Sequence, residues 1–386
     1  MRSVRDIPAL TDVPVLVRAA LNVPLEGGAV TNDYRLRKAL PTIRFLSEHG
    51  AKVILISHIG EKGTETLRPV AEAMKVFLPR LAFCPTTIGE EARGAIRRMA
   101  PGDVLMLENL RRHAGEVGND PSFAKELAML ADVFVEDSFD TCHRRHASIV
   151  GVPAFLPPYG GLLLEEEVAA LGGALAPEHP ALAIIGGAKF ATKESVLETL
   201  LAIYDHVAVG GALANDFLVG QGHRIGKSLA SGVETSKISA LLENQKLVLP
   251  LDVRVVSFAA VDAADALQKA RVTRVEDIAQ DEVILDVGPA TETLLAELAH
   301  GAKSILWNGP LGKYESGFVE ATDALARAIA STRAHSVVGG GDTVASIESL
   351  GLMPRFSFVS TGGGAMLEFL ARGTLPGIAA LETGGL

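Results

Sequence analysis

Cysteine is nearly missing from this sequence: Cys84 and Cys142 are the only two among 386 residues. Two distant thiols imply no disulfide framework, and a reducing compartment fits them best. Positive charge is also in deficit, with a formal net charge of −10. That argues against nucleic acid as a partner, because such binding rests on neutralising phosphates. An anionic ligand must instead be drawn by a local basic patch. Long apolar runs are absent as well; glycine or charge breaks each one well short of the ~20 residues a spanning helix requires. The first eight residues, Met-Arg-Ser-Val-Arg-Asp-Ile-Pro, contain no apolar h-region of a signal peptide. A soluble cytoplasmic protein with no membrane or nucleic-acid partner is the expectation.

Glycine, by contrast, is abundant at 39 residues, and the length suffices for two domains with sizeable cores. Short β-branched runs alternate with longer amphipathic stretches, the signature of parallel α/β architecture. In the first half, strands are predicted at Pro14–Leu21, Lys52–His58, Asp103–Asn109 and Asp132–Asp137, with helices such as Leu36–His49 and Leu67–Phe77 between them. Second-half strands are predicted at Ala181–Ile185, His206–Val209, Ser304–Trp307, Ser336–Val338 and Phe356–Ser360. Between the halves, Val152–Tyr159 holds three prolines, Gly160-Gly161 follows, and a helix is predicted over Leu162–Leu175. Such punctuation marks a domain junction and hinge. The expected fold is α/β: two Rossmann-like domains, each a parallel sheet flanked by helices, joined by a hinge helix. The expected boundaries are 1–158 for the first domain, 159–176 for the hinge and 177–370 for the second.

Ligands of parallel α/β sheets sit outside the carboxyl ends of the strands, and there the two halves differ. Second-half strands run into Gly186-Gly187-Ala188-Lys189, Gly210-Gly211-Ala212, Gly339-Gly340-Gly341-Asp342-Thr343 and Thr361-Gly362-Gly363-Gly364. Glycine lets the backbone approach a ligand closely, and the amides of the following helix can hold phosphate oxygens. One such pair is equally a tight turn; four on separate strands point to a nucleotide-phosphate site. First-half strands end instead in basic residues. Arg18 lies on the first strand and His58 ends the second. Arg111, Arg112 and His113 follow the third, His143 to His146 follow the fourth, and Arg35 and Arg37 open the first helix. Arginine suits carboxylates and phosphates through paired donors. Any single arginine is better explained as a solvated surface charge; the clustering at strand ends points to an anion pocket.

Other chemistries find little support. No G-x-G-x-x-G opens a helix after a strand, which disfavours a dinucleotide dehydrogenase. Gly222 to Ser228 imitates a Walker loop, but Gln221 stands where its first glycine belongs and no strand leads into it; it is read as the turn after a helix. His143 and His146 beside Cys142 lack a second ligand pair for zinc, and no serine-hydrolase arrangement stands out. A basic face and a glycine face suit phosphoryl transfer between a nucleotide and a small acid, which needs positioning and charge neutralisation.

The residues resemble the phosphoglycerate kinase family over nearly the whole chain. In the first half the resemblance lies in Val17 to Pro24, Asp33 to Ile43, Ser57-His58-Ile59-Gly60, Leu107 to Arg111 and His143 to Ser148. In the second half it lies in Gly186 to Lys189, Gly226 to Leu229, Asp286 to Pro289, Trp307 to Pro310, Gly339 to Thr343 and Ser360 to Ala365. The resemblance implies reversible phosphoryl transfer between ATP and the carboxylate of 3-phosphoglycerate, with Mg-ATP/Mg-ADP and a monomeric chain. It implies that Arg35 stabilises the transferring group while Asn22, His58, Arg111 and Arg144 hold the acid. Lys189 and Lys193 would contact nucleotide or transferring phosphate oxygens, and Glu315 the ribose. Asp342, through the nucleotide phosphates, would orient Mg²⁺ together with Thr343, with Gly341 allowing close backbone approach. Gly187, Gly211, Asn308 and Gly340 complete the implied nucleotide site. The tail, 371–386, is expected to complete the first domain.

Three positions depart from the family pattern. Ala20 stands where the family usually has an aspartate on the substrate hydroxyl, Glu61 where an arginine usually follows, and Thr192 where an aspartate separates the two lysines. One lost hydroxyl contact is worth about 1–3 kcal/mol. Two alternatives therefore stay open: a kinase of the same fold acting on another small acid, and a non-catalytic nucleotide-binding homologue.

Overall fold

The β-branched runs form strands and the amphipathic stretches between them form helices. A computed structural model describes residues 1–233 and 235–384. The chain makes two compact units, Met1–Ala169 with Thr374–Leu386, and Ala170–Gly373.

The first unit is built on six parallel strands. Their order across the sheet is Leu81–Phe83, Val104–Met106, Lys52–Ile56, Pro14–Ala19, Val133–Asp137 and Pro158–Gly160. The strand Pro14–Ala19 is buried on both faces, which is why its sequence is an apolar run broken only by Arg18 rather than an alternation. Helix Tyr34–Glu48 presents Leu36, Ala39, Leu40, Ile43 and Leu46 at helical spacing, and these join Val15, Val17, Val53 and Leu55 in one core. Each large side chain buried in this way contributes about 1.5–3 kcal/mol. The edge strand Pro158–Gly160 lies within the Pro/Gly stretch, so this stretch is sheet as well as punctuation. Helix Pro376–Thr383 also belongs to this unit, and the Gly377 amide donates to the Cys142 carbonyl at 2.9 Å.

The second unit repeats the plan. Its parallel strands lie in the order Leu247–Val248, His206–Val209, Ala181–Ile185, Ser304–Asn308, His335–Gly339 and Phe358–Val359. An antiparallel sheet of Arg271–Arg274, Asp252–Ser257 and Glu282–Val287 is added to it. No strand was predicted between residues 249 and 287; in Asp252–Ser257 both faces are largely buried, with the mostly buried Arg254 donating to Glu292 in the middle of the strand. The Walker-like segment does follow a helix, Ala212–Gly220.

Helix Leu162–Ala174 starts at a polar anchor. Asp137, wholly buried at the end of its strand, accepts the amides of Leu163 at 3.0 Å and Leu164 at 3.2 Å, while the Thr42 hydroxyl oxygen accepts that of Leu162 at 2.9 Å. Burial pushes the Asp137 carboxyl from 3.8 up to about 8. Between those values the folded chain holds a proton that the unfolded chain has released, so this group's contribution to stability falls as pH rises. Asp137→Asn keeps the accepting oxygen and removes the titration. Its urea-unfolding midpoint should therefore gain on wild type between about pH 5 and about pH 8; a constant difference at both pH values would contradict the assignment.

Candidate active site

In the first unit the carboxyl edge of the sheet is organised around Arg18, which is 1% exposed. Its Nε donates to Ser148 Oγ at 3.1 Å and its Nη1 to the Ala19 carbonyl at 2.9 Å. Its Nη2 lies 3.0 Å from His58 Nδ1. A guanidinium only donates, so His58 Nδ1 must accept, and the ring is neutral with its proton on Nε2. Burial, then the charges of Arg18, Arg111, Arg144 and His146, hold the His58 pKa far below its ordinary value. Burial and the same arginines push His146 down to about 4. Glu116, also wholly buried, accepts the Ser148 amide at 2.9 Å and hydroxyl at 2.6 Å. A chain Glu116–Ser148–Arg18–His58 therefore sets the donor that His58 presents.

Arg35 Nη1 donates to the Asn22 carbonyl at 2.6 Å. The Asn22 side chain accepts the Gly60 amide at 3.1 Å, and Arg111 Nη1 donates to the Gly60 carbonyl at 2.6 Å. Arg111 Nε is buried without a hydrogen-bond partner among the described residues, an open donor of the kind a bound anion satisfies. Arg144 is exposed, and its charge acts on His58, Arg111 and His146. The fold thus gathers Asn22, Arg35, His58, Arg111 and Arg144 on one edge. Ala20 is buried and offers no polar side chain there, and the exposed Glu61 acts on Arg111 with opposing charge.

In the second unit the strand ends meet almost as bare backbone. Gly309, at φ +96°, packs so closely on Gly186 that a Cβ would come within 2.6 Å of the Gly186 carbonyl carbon. Gly211, at φ +63°, leaves only 2.7 Å to the Gly187 carbonyl oxygen. Neither site tolerates a side chain. Helices Ala212–Gly220, Gly341–Ser349 and Gly363–Arg372 start from these loops, so their amino ends favour anions at this edge. A cavity of about 620 Å³ is lined by Gly187, Gly211, Glu315 and Asp342, with Leu229, Phe258, Val261 and Leu285 as apolar walls. Lys193 is mostly buried; desolvation and then the Lys189 charge lower its pKa, so the two ammonium groups share one field. Its Nζ is 3.4 Å from the position a Cβ would take on Gly187. Burial and then the charge of Glu315 raise the pKa of Asp342.

Not every residue expected at the nucleotide faces the cavity. Asn308 Nδ2 donates to the Gly363 carbonyl at 3.2 Å, and the buried Thr343 hydroxyl oxygen accepts the Gly309 amide at 3.1 Å. Both brace the glycine loops from beneath. Gly340 caps helix Gly341–Ser349, placing Gly341 in its first turn.

Comparison with known proteins identifies the family of the chain. The family model for phosphoglycerate kinase matches residues 4–372. The chain belongs to the phosphoglycerate kinase family. It is 44% identical to the phosphoglycerate kinase of Moorella thermoacetica, over 96% of this chain and 97% of the relative. The identity to that of Xanthobacter flavus is 43%, with 99% of each covered. Among solved structures, phosphoglycerate kinase from Pyrococcus horikoshii superposes with a TM-score of 0.87 at 30% identity, covering 99% of this chain and 98% of that one. The structure from Coxiella burnetii gives 0.82 at 39% identity, with 98% of each covered. The chemistry of phosphoglycerate kinases, phosphoryl transfer to a carboxyl acceptor from a nucleotide, is therefore the chemistry of this chain.

Arg18 was read as one of the basic strand-end residues, but not as the buried centre of a chain through Ser148 to Glu116, neither of which was given a role. A guanidinium within the apolar run Val15-Leu16-Val17 was the available signal, since a buried charge requires partners. The neutrality of the histidines is directly measurable. By NMR, the His58 and His146 rings should stay neutral from about pH 8 to about pH 5.5, His146 titrating only near 4. A His146 midpoint near its ordinary 6.5 would refute the arrangement.

Proposed function

We propose that the chain reversibly transfers a phosphoryl group between ATP and the carboxylate of 3-phosphoglycerate, each unit holding one ligand. The observation that carries this reading is a cavity bounded by Gly187 and Gly211 and lined by Glu315 and Asp342, with Lys193, which Lys189 acts on, against its Gly187 wall, in a chain whose other unit gathers basic residues at its strand ends. In the direction that consumes ATP, a carboxylate oxygen of the acid attacks the γ-phosphorus. The bond from that phosphorus to its bridging oxygen breaks, and ADP leaves. The carboxylate is already ionised at neutral pH, so no strong base is required. Asn22, His58, Arg111 and Arg144 hold the acid, His58 donating from Nε2, and Arg35 neutralises charge on the transferring group. Lys189 and Lys193 neutralise phosphate oxygens on the nucleotide side, beside the amino ends of the glycine-started helices. Glu315 meets the ribose.

Mg²⁺ fits this site as an ion carried on phosphates. Among the described residues no group of three or more His, Cys, Asp or Glu is placed to hold a metal, whereas Asp342 and Glu315 lie close enough to act on each other. One or two carboxylates with nucleotide phosphates suit Mg²⁺, and Asp342 would hold it. Held there, the ion would supply positive charge that offsets the charge on the phosphate oxygens. Both cysteines are buried and unpaired, which suits the proposed cytoplasmic location, and the resemblance to phosphoglycerate kinases supports the proposed monomer.

Turnover of 3-phosphoglycerate with Mg-ATP in a coupled assay is the direct test, and none at millimolar substrate would overturn the reading. Arg35→Ala should lower kcat about 10²–10³-fold with the unfolding midpoint preserved; near-normal kcat would remove Arg35 from its role. Glu61→Gln lifts an opposing charge from Arg111 and should lower the KM for the acid about 3–10-fold with kcat little changed. An unchanged or raised KM would show that Glu61 does not oppose the bound anion.

A further inference from the structure

The turn Phe190–Thr192 carries Lys189 on one side and Lys193 on the other, and its shape is passed to both. The Lys193 amide donates to the Phe190 carbonyl at 2.7 Å, and the Thr192 hydroxyl donates to the Lys189 carbonyl at 2.9 Å. From outside, the Phe190 amide donates to Ser231 Oγ at 3.2 Å, and the Ser231 amide donates to Asp216 Oδ1 at 2.7 Å. Asp216 lies on helix Ala212–Gly220, the helix that starts after Gly211 at the nucleotide cavity. The neighbouring Asn215 donates from Nδ2 to the Leu229 carbonyl at 2.8 Å, and Asn215 and Leu229 both line that cavity. Phe217, next along the helix, packs against Phe190 with ring centroids 5.8 Å apart. One helix therefore grips the lysine turn twice, once by ring packing and once through Ser231.

Asp216 is 2% exposed, and its Oδ2 has no hydrogen-bond partner among the described residues. A buried carboxylate with one bare oxygen is a poor way to stabilise a fold, so its use lies in what the other oxygen holds. We infer that Asp216 is a positioning residue: through Ser231 it fixes the backbone of the turn, and with it the two ammonium groups that face the nucleotide phosphates. Asp216 touches no ligand in this arrangement. The inference rests on the proposed role of Lys189 and Lys193.

The experiment reads two things that a merely structural role would not move together: hydrogen exchange at the Phe190 amide without ligand, and kcat against the KM of each substrate. Ser231→Ala, at an exposed position, removes the acceptor and should speed Phe190 exchange about fivefold. It should also lower kcat about 5–30-fold with the KM for the acid within about twofold. Asp216→Ala should do the same, and the double variant should be no worse than either single one, because both break one route. Asp216→Asn, which keeps an accepting Oδ1, should recover most of the kcat. Unchanged Phe190 exchange in Ser231→Ala, faster exchange with wild-type kcat, or additive losses in the double variant would each overturn the relay. If Asp216→Ala fails to fold, Ser231→Ala decides alone. Lys193→Ala with wild-type kcat would instead sink the lysine assignment, leaving the exchange result to stand by itself.

Discussion

All strands within each six-stranded sheet run the same way, so every carboxyl end opens on one edge, and each unit's chemistry depends on what fills it. The second unit fills its edge with backbone. Gly186 and Gly309 approach so closely that no side chain fits, and the amino ends of helices face the space left over. In the first unit the filling is a buried guanidinium. Arg18 cannot stand there alone, because an unpaired charge in the interior is too unfavourable, and its partners Ser148, His58 and the Ala19 carbonyl become ordered by that need.

The two edges also manage charge differently. Around Arg18 the fold surrounds its basic groups with buried acids: Glu116 under Ser148, and Glu136, whose carboxyl burial holds well above the usual range. Burial and the charges of the arginines keep the histidines neutral, so the face's positive charge is carried by arginines that do not titrate. In the second unit burial and then the charge of Lys189 lower the pKa of Lys193, with no acid among the described residues offsetting them. A phosphate arriving there meets cations already crowded together, which strengthens attraction for an anion more than either lysine alone would.

Much of this was legible in the sequence, for reasons specific to particular residues. The strand Ala181–Ile185 is an uninterrupted apolar run and Pro14–Ala19 one broken only by Arg18, and the glycines and arginines beyond strand ends declare themselves by position. The antiparallel sheet around Asp252–Ser257 was harder to see, since Arg254 and Asp252 break the apolar run that marks a parallel strand. Asn308 and Thr343 were recognised as belonging to the site, but not that their side chains turn inward to brace it. Ser231 could not have been singled out at all: one serine among many acquires meaning only when Asp216 and Phe190, distant in sequence, come to either side of it.

The segment beginning at Thr374 returns to the first unit and seats Gly377 against Cys142 and Ile149, and this ordering has a consequence for synthesis. A ribosome delivers the chain from its amino end at ~5–20 residues per second, so roughly 10–40 s separate the emergence of Ala169 from that of Thr374. The second unit is contiguous and has all its strands in hand once it emerges. The earlier one must wait, with the slot beside Cys142 uncovered, for its last helix to arrive. The half of the molecule made first is thus the half finished last, and during that interval a chaperone, or a neighbouring nascent chain, has an open apolar seat to occupy.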